Sequence, residues 1–303
     1  MNFLKEIQIR WPAEEIQKWS SVKKAVYILF PMLIYFAVHD MTEILLWGIT
    51  ELAVSRQNPM VLQFVEANSN TLHGMINGLS ILLGVASIWV AVRHEIFVPQ
   101  TTAPQEKKHS ADDVNNQTRV KTAVSYVLLG VLALSASIAL NVLFSLIGWT
   151  QQSKVFSQIA VKQYGVNFWI GLFLYGIISP FAEEAVFRGL IYNRLKRSFG
   201  YLFGIVVSAV LFGFYHGNLI QGVYGFLLGL LIAYTYEKYE SFAAPILFHS
   251  IANVSIFALT YGNRLSQMSR TTGLIMGGIA FVVAGISLVV IIKRASRAKA
   301  PSD

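Results

Sequence analysis

Residues 166 to 188 read V-N-F-W-I-G-L-F-L-Y-G-I-I-S-P-F-A-E-E-A-V-F-R. The first seventeen of them, Val166 to Ala182, carry no charge, and two glutamates and an arginine follow within six residues. Ionised groups cost roughly 2.5–3.5 kcal/mol each at the centre of a lipid-facing helix, so they usually face a protein interior or a wet cavity. The stretch therefore predicts a membrane helix that carries charged side chains into a polar interior.

The spacing of these charged residues separates their expected roles. Glu184 and Arg188 are four residues apart with the acid first, which favours an ion pair on one helix face. Glu183 points about 100° away and has no local counter-charge. A buried carboxylate without a partner tends to hold a proton near neutral pH, which suits a general acid or base. The alternative is a purely structural set of two glutamates and an arginine just inside the lipid headgroups.

The rest of the chain is also unusually apolar. Of its 303 residues 54% are hydrophobic and 13% are charged, and the apolar residues form blocks long enough to cross a bilayer, which takes about 20 helical residues. The sequence predicts an all-α, polytopic membrane bundle of about eight transmembrane helices with a polar intramembrane cavity. The predicted spans are residues 25–50, 72–92, 123–150, 166–192, 201–216, 221–236, 242–261 and 272–292.

The net charge of +8 follows from membrane topology and needs no nucleic-acid partner. With eight spans and both termini inside, only five of the twenty-four Lys and Arg fall in outer segments: Arg56, Lys154, Lys162, Arg264 and Arg270. An excess of Lys and Arg in cytoplasmic segments is the positive-inside bias. We expect an integral membrane protein with cytoplasmic termini. The lack of a eukaryotic targeting or retention signal favours a bacterial plasma membrane.

Five segments follow from this pattern: an amphipathic surface segment (1–24), two transmembrane helices (25–93), a mobile cytoplasmic linker (94–122), a six-helix core (123–292) and a basic tail (293–303). The first helix carries His39, Asp40 and Glu43. Polar packing, or closeness to the outer surface, is the preferred interpretation of these three residues; a wall of the substrate cavity is the alternative.

Two later helices carry polar residues at helical spacing. F-G-F-Y-H places Phe212 and His216 on one face, and H-S-I-A-N does the same for His249 and Asn253. A turn near Phe199-Gly200 would bring Glu183 and His216 to the same depth, roughly 25 Å from that turn at 1.5 Å per residue. Because His249 would then lie shallower, we expect the Glu183 helix either to be bent, for which Pro180 offers a cause, or to end in a surface-lying turn.

Several catalytic classes are excluded by the sequence. It contains no cysteine, no H-E-x-x-H and no G-x-S-x-G, and of its four aspartates only Asp40 lies in a predicted span, so an intramembrane aspartyl dyad is impossible. For hydrolysis, Glu, His and Asn remain. A transporter is disfavoured because few intramembrane charges lie outside the one cluster.

The three motifs E-E-A-V-F-R, F-G-F-Y-H and H-S-I-A-N, in this order on successive helices, resemble those of the CAAX protease and bacteriocin-processing (CPBP) family. The resemblance covers about residues 165–260, and the eight-span architecture also fits. It implies that Glu183 activates a water molecule with help from His216. It also implies that His249 and Asn253 stabilise the oxyanion, while Glu184 and Arg188 hold the site in shape.

We therefore expect an intramembrane endopeptidase whose substrate is a peptide or membrane protein. The metal-free mechanism is preferred, and the alternative is a zinc ion held by Glu183, His216 and His249 as a His₂Glu set. The rival from another class is a non-proteolytic immunity or regulatory protein that binds a peptide or a sensor kinase, since a fold does not define a function.

Overall fold

The computed structural model of the chain describes residues 3–97, 111–263 and 267–297, and all the regular structure in these ranges is helical. The α-helices are α1 (Phe3–Gln8), α2 (Ala13–Gln17), α3 (Ser21–Ser55), α4 (Pro59–Phe97), α5 (Ala111–Leu146), α6 (Trp149–Gln152), α7 (Lys154–Tyr164), α8 (Phe168–Phe173), α9 (Ser179–Glu184), α10 (Asn193–Phe199), α11 (Tyr201–Tyr215), α12 (Leu219–Tyr239), α13 (Ala243–Thr260) and α14 (Arg270–Arg297). Two π-helical segments, Leu174–Ile178 and Ala185–Tyr192, and a short 3₁₀ turn, Tyr261–Asn263, complete the set.

The predicted fold class, an all-α polytopic membrane bundle, is confirmed. Seven helices in the described ranges are long and apolar enough to cross a membrane. The remaining predicted span, residues 201–216, is α11, which has only 15 residues. At 1.5 Å per residue it is about 22 Å long, shorter than the roughly 30 Å hydrocarbon core.

Helix boundaries differ from the sequence prediction around the linker. Helix α4 continues to Phe97 and α5 already begins at Ala111, so both enter the segment predicted to be a mobile linker, residues 94–122. The middle of that segment, residues 98–110, lies outside the described residues, as do residues 298–303 of the predicted basic tail. The predicted amphipathic surface segment forms the short helices α1 and α2 and the start of α3.

Most of residues 166–188 belong to one helix that runs without a break from Phe168 to Phe199, which we call the motif helix. It consists of α8, a π segment, α9, a second π segment and α10. Pro180 stands in α9 directly after the first π segment. A proline ring clashes with the carbonyl four residues earlier, here in that π segment, so the wider turn accommodates Pro180 while the helix continues.

The motif helix occupies the middle of the bundle, where it contacts α4, α11 and α13. Two apolar clusters hold the bundle together, and the motif helix belongs to the first of them. One joins α3, α4, the motif helix and α11, and the other joins α5, α12, α13 and α14. The residues from Ala182 to Tyr192 are all buried. Glu183, Glu184 and Arg188 therefore lie inside the protein and not against lipid.

The bundle has two ends that can be told apart by their short helices. We call the end where α1 and α2 pack against α3, α4 and α10 the α1 end. At the opposite end, α7 packs against the first half of α4, and this is the α7 end. Helix α11 directly follows α10, so it starts at the α1 end and runs towards the α7 end. Helix α13 runs in the same direction.

Candidate active site

Glu184, Arg188 and His249 form a fully enclosed polar cluster. Arg188 donates from a guanidinium nitrogen to Glu184 Oε1 at 2.8 Å, which is the ion pair that the four-residue spacing predicts. His249 Nδ1 donates to the same oxygen at 2.7 Å. Arg188 also donates to the carbonyl of Gly229 at 3.1 Å. These bonds hold α9, α12 and α13 together. Glu184 and Arg188 are 0% exposed, so they do not reach solvent.

Glu183 lies beside this cluster in a different environment. Its Oε1 accepts a hydrogen bond from Ser179 Oγ, one turn earlier in the motif helix. Its Oε2 is buried without a hydrogen-bond partner, and it lies 3.7 Å from Nε2 of His249. A buried polar oxygen without a partner is uncommon and calls for an explanation such as a water or a catalytic role. One oxygen of Glu183 is thus hydrogen-bonded, and the other is buried without a hydrogen-bond partner.

His216 is positioned by the end of its own helix. The α11 helix ends at Tyr215, and Gly217 adopts a left-handed conformation with φ of 67°, which suits a residue without Cβ at a helix C-terminus. His216 Nδ1 donates to the carbonyl of Phe212 at 2.9 Å. Since a carbonyl only accepts, Nδ1 carries the proton, and in the neutral ring Nε2 is left as an acceptor.

A cavity of about 600 Å³ contacts three of the predicted site residues, Glu183, His216 and Asn253. Asn253 donates through Nδ2 to the carbonyl of Tyr175 at 3.1 Å, which fixes its amide at the cavity wall. His249, Glu184 and Arg188 are not among the lining residues and lie behind Glu183. Tyr164 also lines the cavity, and burial raises the pKa of its phenol to about 12, so it presents a neutral hydroxyl.

His39 and Asp40 of α3 also line this cavity. The sequence prediction preferred polar packing for these residues, and His39 does meet Asn77 of α4, with Nε2 and Nδ2 3.5 Å apart. Its Nδ1 lies 2.8 Å from Asp40 Oδ1. Glu43 is not among the lining residues. His39 and Asp40 therefore lie in the cavity wall, as the alternative interpretation has it. His39 also packs against a polar side chain, as the preferred interpretation has it.

The fold brings all six predicted site residues to one place, either in the cavity wall or directly behind it. Sequence reasoning gave no role to Ser179, although it lies four residues before Glu183 and so shares a helix face with it. Helical spacing could have found this contact. The contacts of Asn253 with Tyr175 and of Arg188 with Gly229 join distant segments, and no local signal announces them.

The zinc alternative requires Glu183, His216 and His249 to act as one ligand set. Within residues 3–97, 111–263 and 267–297, no three His, Asp or Glu side chains are grouped as a metal site requires. His249 Nδ1 is engaged by Glu184 and His216 Nδ1 by a backbone carbonyl, which leaves one nitrogen on each ring. Since the described side chains are not grouped as a His₂Glu site, we derive no step through a metal.

The fold and site define a polytopic helical membrane protein with a partly buried Glu–His–Asn site beside a cavity. The family model described as "Type II CAAX prenyl endopeptidase Rce1-like" matches residues 165–255. This range contains all three motifs. The resemblance to the CPBP family that the motifs indicate is thereby confirmed at the level of the family.

A curated relative points the same way. The protein named "Putative membrane peptidase YdiL" from Bacillus subtilis is 28% identical over 106 residues, which are 34% of this chain and 43% of that protein. The chain thus matches less than half of the length of this relative. No solved structure matches the chain.

Proposed function

We propose that this protein is an intramembrane endopeptidase that hydrolyses a peptide bond of a membrane-associated protein or peptide. The observation that carries the proposal is the state of Glu183. This carboxylate is 6% exposed, has one oxygen without a hydrogen-bond partner and lines a cavity large enough for an extended peptide segment. The family resemblance supports peptide hydrolysis as the reaction.

In the proposed reaction Glu183 is the general base. Its carboxylate takes a proton from a water molecule, and the water oxygen forms a bond with the carbonyl carbon of the scissile peptide. The carbonyl oxygen becomes an oxyanion. When the tetrahedral intermediate collapses, the C–N bond breaks and the proton on Glu183 passes to the leaving amine. Atoms and charge then balance without a further reactant.

Two side chains support this step from the cavity wall. His216 accepts at Nε2, because its Nδ1 donates to Phe212, and it can therefore orient the attacking water. Asn253 presents an amide at the same wall and would donate to the oxyanion. Preorganised donors of this kind act without reorganising at the moment of reaction, which is why a fixed amide is effective.

His249 lies behind Glu183 and has a double role in the proposal. Its Nδ1 proton is committed to Glu184, so donation through Nε2 requires the doubly protonated ring. In that form Nε2 would donate to the oxyanion together with Asn253. In the neutral form Nε2 only accepts, so it would accept from Glu183 Oε2, 3.7 Å away, once Glu183 has taken the proton from water.

The test is a comparison of membrane proteomes from cells that carry the wild type or Glu183→Gln. We expect fragments with new termini that appear only with the wild type. The control is Glu66→Gln, which changes an exposed glutamate of α4 and should leave these fragments unchanged.

Two results would contradict the proposal. One is the same set of termini in both strains. The other is a deletion phenotype that Glu183→Gln rescues as well as the wild type does, which would favour the immunity or regulatory protein that binds without cutting.

A further inference from the structure

The cavity is built from one half of the bundle only. Helix α11 contributes its last residue, Tyr215, and α12 its first turns, through Ile220, Gln221 and Tyr224. Helix α5 contributes Asn141 and Phe144, close to its end, and α13 contributes residues of its second half. All these segments lie towards the α7 end. The α7 helix itself supplies five lining residues, Phe156, Ile159, Lys162, Gln163 and Tyr164.

The mouth at the α7 end is polar. Lys162 is exposed, and Gln163 contacts Gln221 through their side-chain amides at 3.2 Å, so α7 is tied to the start of α12 at the cavity wall. Thr150 also lines this part. Groups of this kind suit a water-filled entrance, because they would be costly in contact with lipid.

The opposite side of the site is closed by two layers. The first is apolar and packs Val92 of α4 against Val186, Phe187 and Leu190 of the motif helix. The second is a buried ionic cluster in which Glu95 Oε1 accepts from Arg194 Nε at 2.9 Å.

The N-terminal segment seals this second layer. Glu95 Oε2 accepts from Arg197 at 2.5 Å, and Arg194 donates to the carbonyl of Ile7 in α1 at 2.7 Å. A peptide that approached from the α1 end would have to displace α1, break these ion pairs and pass through the apolar layer.

The distribution of Lys and Arg indicates on which side of the membrane the α1 end and the α7 end lie. Lys18, Lys23 and Lys24 lie at the start of the bundle, and Lys196, Arg197 and Lys238 lie at the α1-end termini of α10 and α12. At the α7 end the described basic residues are Arg56, Lys154, Lys162 and Arg270. The positive-inside bias assigns the α1 end to the cytoplasm.

We propose that the Glu183 cavity is entered from the outer side of the membrane. The substrate is then an exported peptide or the exported segment of a membrane protein, and not the tail of a cytoplasmic protein. That the entering molecule is a substrate rests on the proposed function. The side of entry follows independently from the lining residues, the closed α1 end and the charge pattern.

Cysteine accessibility tests the side of entry directly, because the natural chain contains no cysteine. Single-cysteine variants Lys162→Cys at the mouth and Asn77→Cys inside the cavity would be treated with a membrane-impermeant maleimide. Labelling would be compared in spheroplasts and in inside-out vesicles of a bacterial host. We expect both variants to be labelled in spheroplasts only.

Two matched variants calibrate the labelling. Lys18→Cys, on the exposed surface of the α1 end, should be labelled only in inside-out vesicles. Val282→Cys, on the exposed apolar face of α14, should be labelled in neither preparation. Denaturation in detergent should make every thiol reactive. Labelling of Asn77→Cys from the cytoplasmic side, or from neither side, overturns the inference, as does labelling of Lys18→Cys in spheroplasts.

The outcome stays separate from that of the proposed function, because labelling needs no cleavage. If the Glu183-dependent fragments exist, modification of Asn77→Cys with a bulky maleimide from the outer side should stop their formation. Unchanged cleavage after complete modification would show that the substrate enters elsewhere. If no such fragments exist, the protease proposal fails while the labelling pattern still defines an outward-facing cavity.

Discussion

At the scale of single residues, two neighbouring glutamates have opposite surroundings. Each has one buried oxygen without a hydrogen-bond partner, but Glu184 is paired with Arg188 behind the cavity, whereas Glu183 has no arginine or lysine partner and lines the cavity. A buried ion pair contributes little net stability, but removing one partner leaves an uncompensated charge and is strongly destabilising. The two carboxylates should therefore respond differently to the same substitution.

We expect Glu184→Gln to lower the free energy of unfolding by about 3–5 kcal/mol, because Arg188 then stays buried without its carboxylate. Glu183→Gln should abolish cleavage and leave the thermal midpoint in detergent near that of the wild type. Thermal unfolding of both variants is the measurement. The double variant Glu184→Gln/Arg188→Met should recover part of the loss, and an equal loss from Glu183→Gln would contradict the division of roles.

Asn253 should act on the reaction rate and not on substrate binding. Removal of one oxyanion donor typically lowers kcat by about 10²–10³, so we expect a loss of that size in Asn253→Ala with a smaller change in KM. Steady-state kinetics on an identified substrate would measure it. Asn77→Ala, which removes the other half of a contact with His39 elsewhere in the cavity, is the control; equal loss in both variants would argue against an oxyanion role.

Metal dependence can be tested on the same substrate. Because the described His, Asp and Glu side chains form no metal-ligand group, we expect cleavage to persist after treatment with a chelator. Wild type before and after dialysis against the chelator is the comparison. Loss of activity that zinc restores would reverse this expectation and return Glu183, His216 and His249 to the role of ligands.

At the scale of elements, the close contact of α11 and α12 decides where His216 lies. A Cβ at Gly225 would lie 3.1 Å from Cε1 and Nδ1 of His216, and one at Gly229 would lie 3.2 Å from the Phe212 ring. Small residues four positions apart let membrane helices approach closely. The α12 glycines therefore position the histidine, although neither of them lines the cavity.

We expect Gly225→Ala to push the His216 imidazole away and to reduce cleavage, with a stability cost of about 1–3 kcal/mol from overpacking. The matched control is Gly278→Ala in α14, where an added Cβ meets no atom within 4 Å. That variant should be fully active. Activity per folded protein is the measurement, and an unimpaired Gly225→Ala would show that the imidazole position tolerates the shift.

At the scale of the whole molecule, Glu95 joins segments that are far apart in the chain. It is 2% exposed, and it binds Arg194, Arg197 and the hydroxyl of Tyr27, the last at 2.9 Å. Arg194 extends the connection to α1 through the carbonyl of Ile7. This cluster closes the bundle at the α1 end and leaves the cavity with its opening at the α7 end.

Glu95→Gln should release the N-terminal segment, because the buried guanidinium of Arg194 loses its carboxylate and, with it, a reason to hold α1. Limited trypsin digestion should then cut after Lys5, Arg10 or Lys18 much faster than in the wild type. Glu66→Gln, on an exposed part of α4, should change nothing. Global unfolding without earlier N-terminal cleavage would place the role of Glu95 in overall stability instead.

The sequence by itself determined the membrane class, the helical fold, the Glu184–Arg188 pair and the faces that carry His216, His249 and Asn253. These features depend on composition and on helical spacing, which are local. The predicted turn is confirmed at Gly200, with φ of 93° between α10 and α11. The motif helix continues through Pro180, because the π segment before it accommodates the proline ring.

Only the tertiary structure decided which of the two glutamates lines the cavity, which polar residues of α3 and α4 join it and where the cavity opens. Glu95, in a segment that the sequence suggested to be part of a linker, became the centre of a buried cluster because α1, α3, α4 and α10 converge on it. Such contacts join residues up to 187 positions apart. Helical periodicity relates a residue to neighbours one turn away, so it holds no information on contacts at that separation.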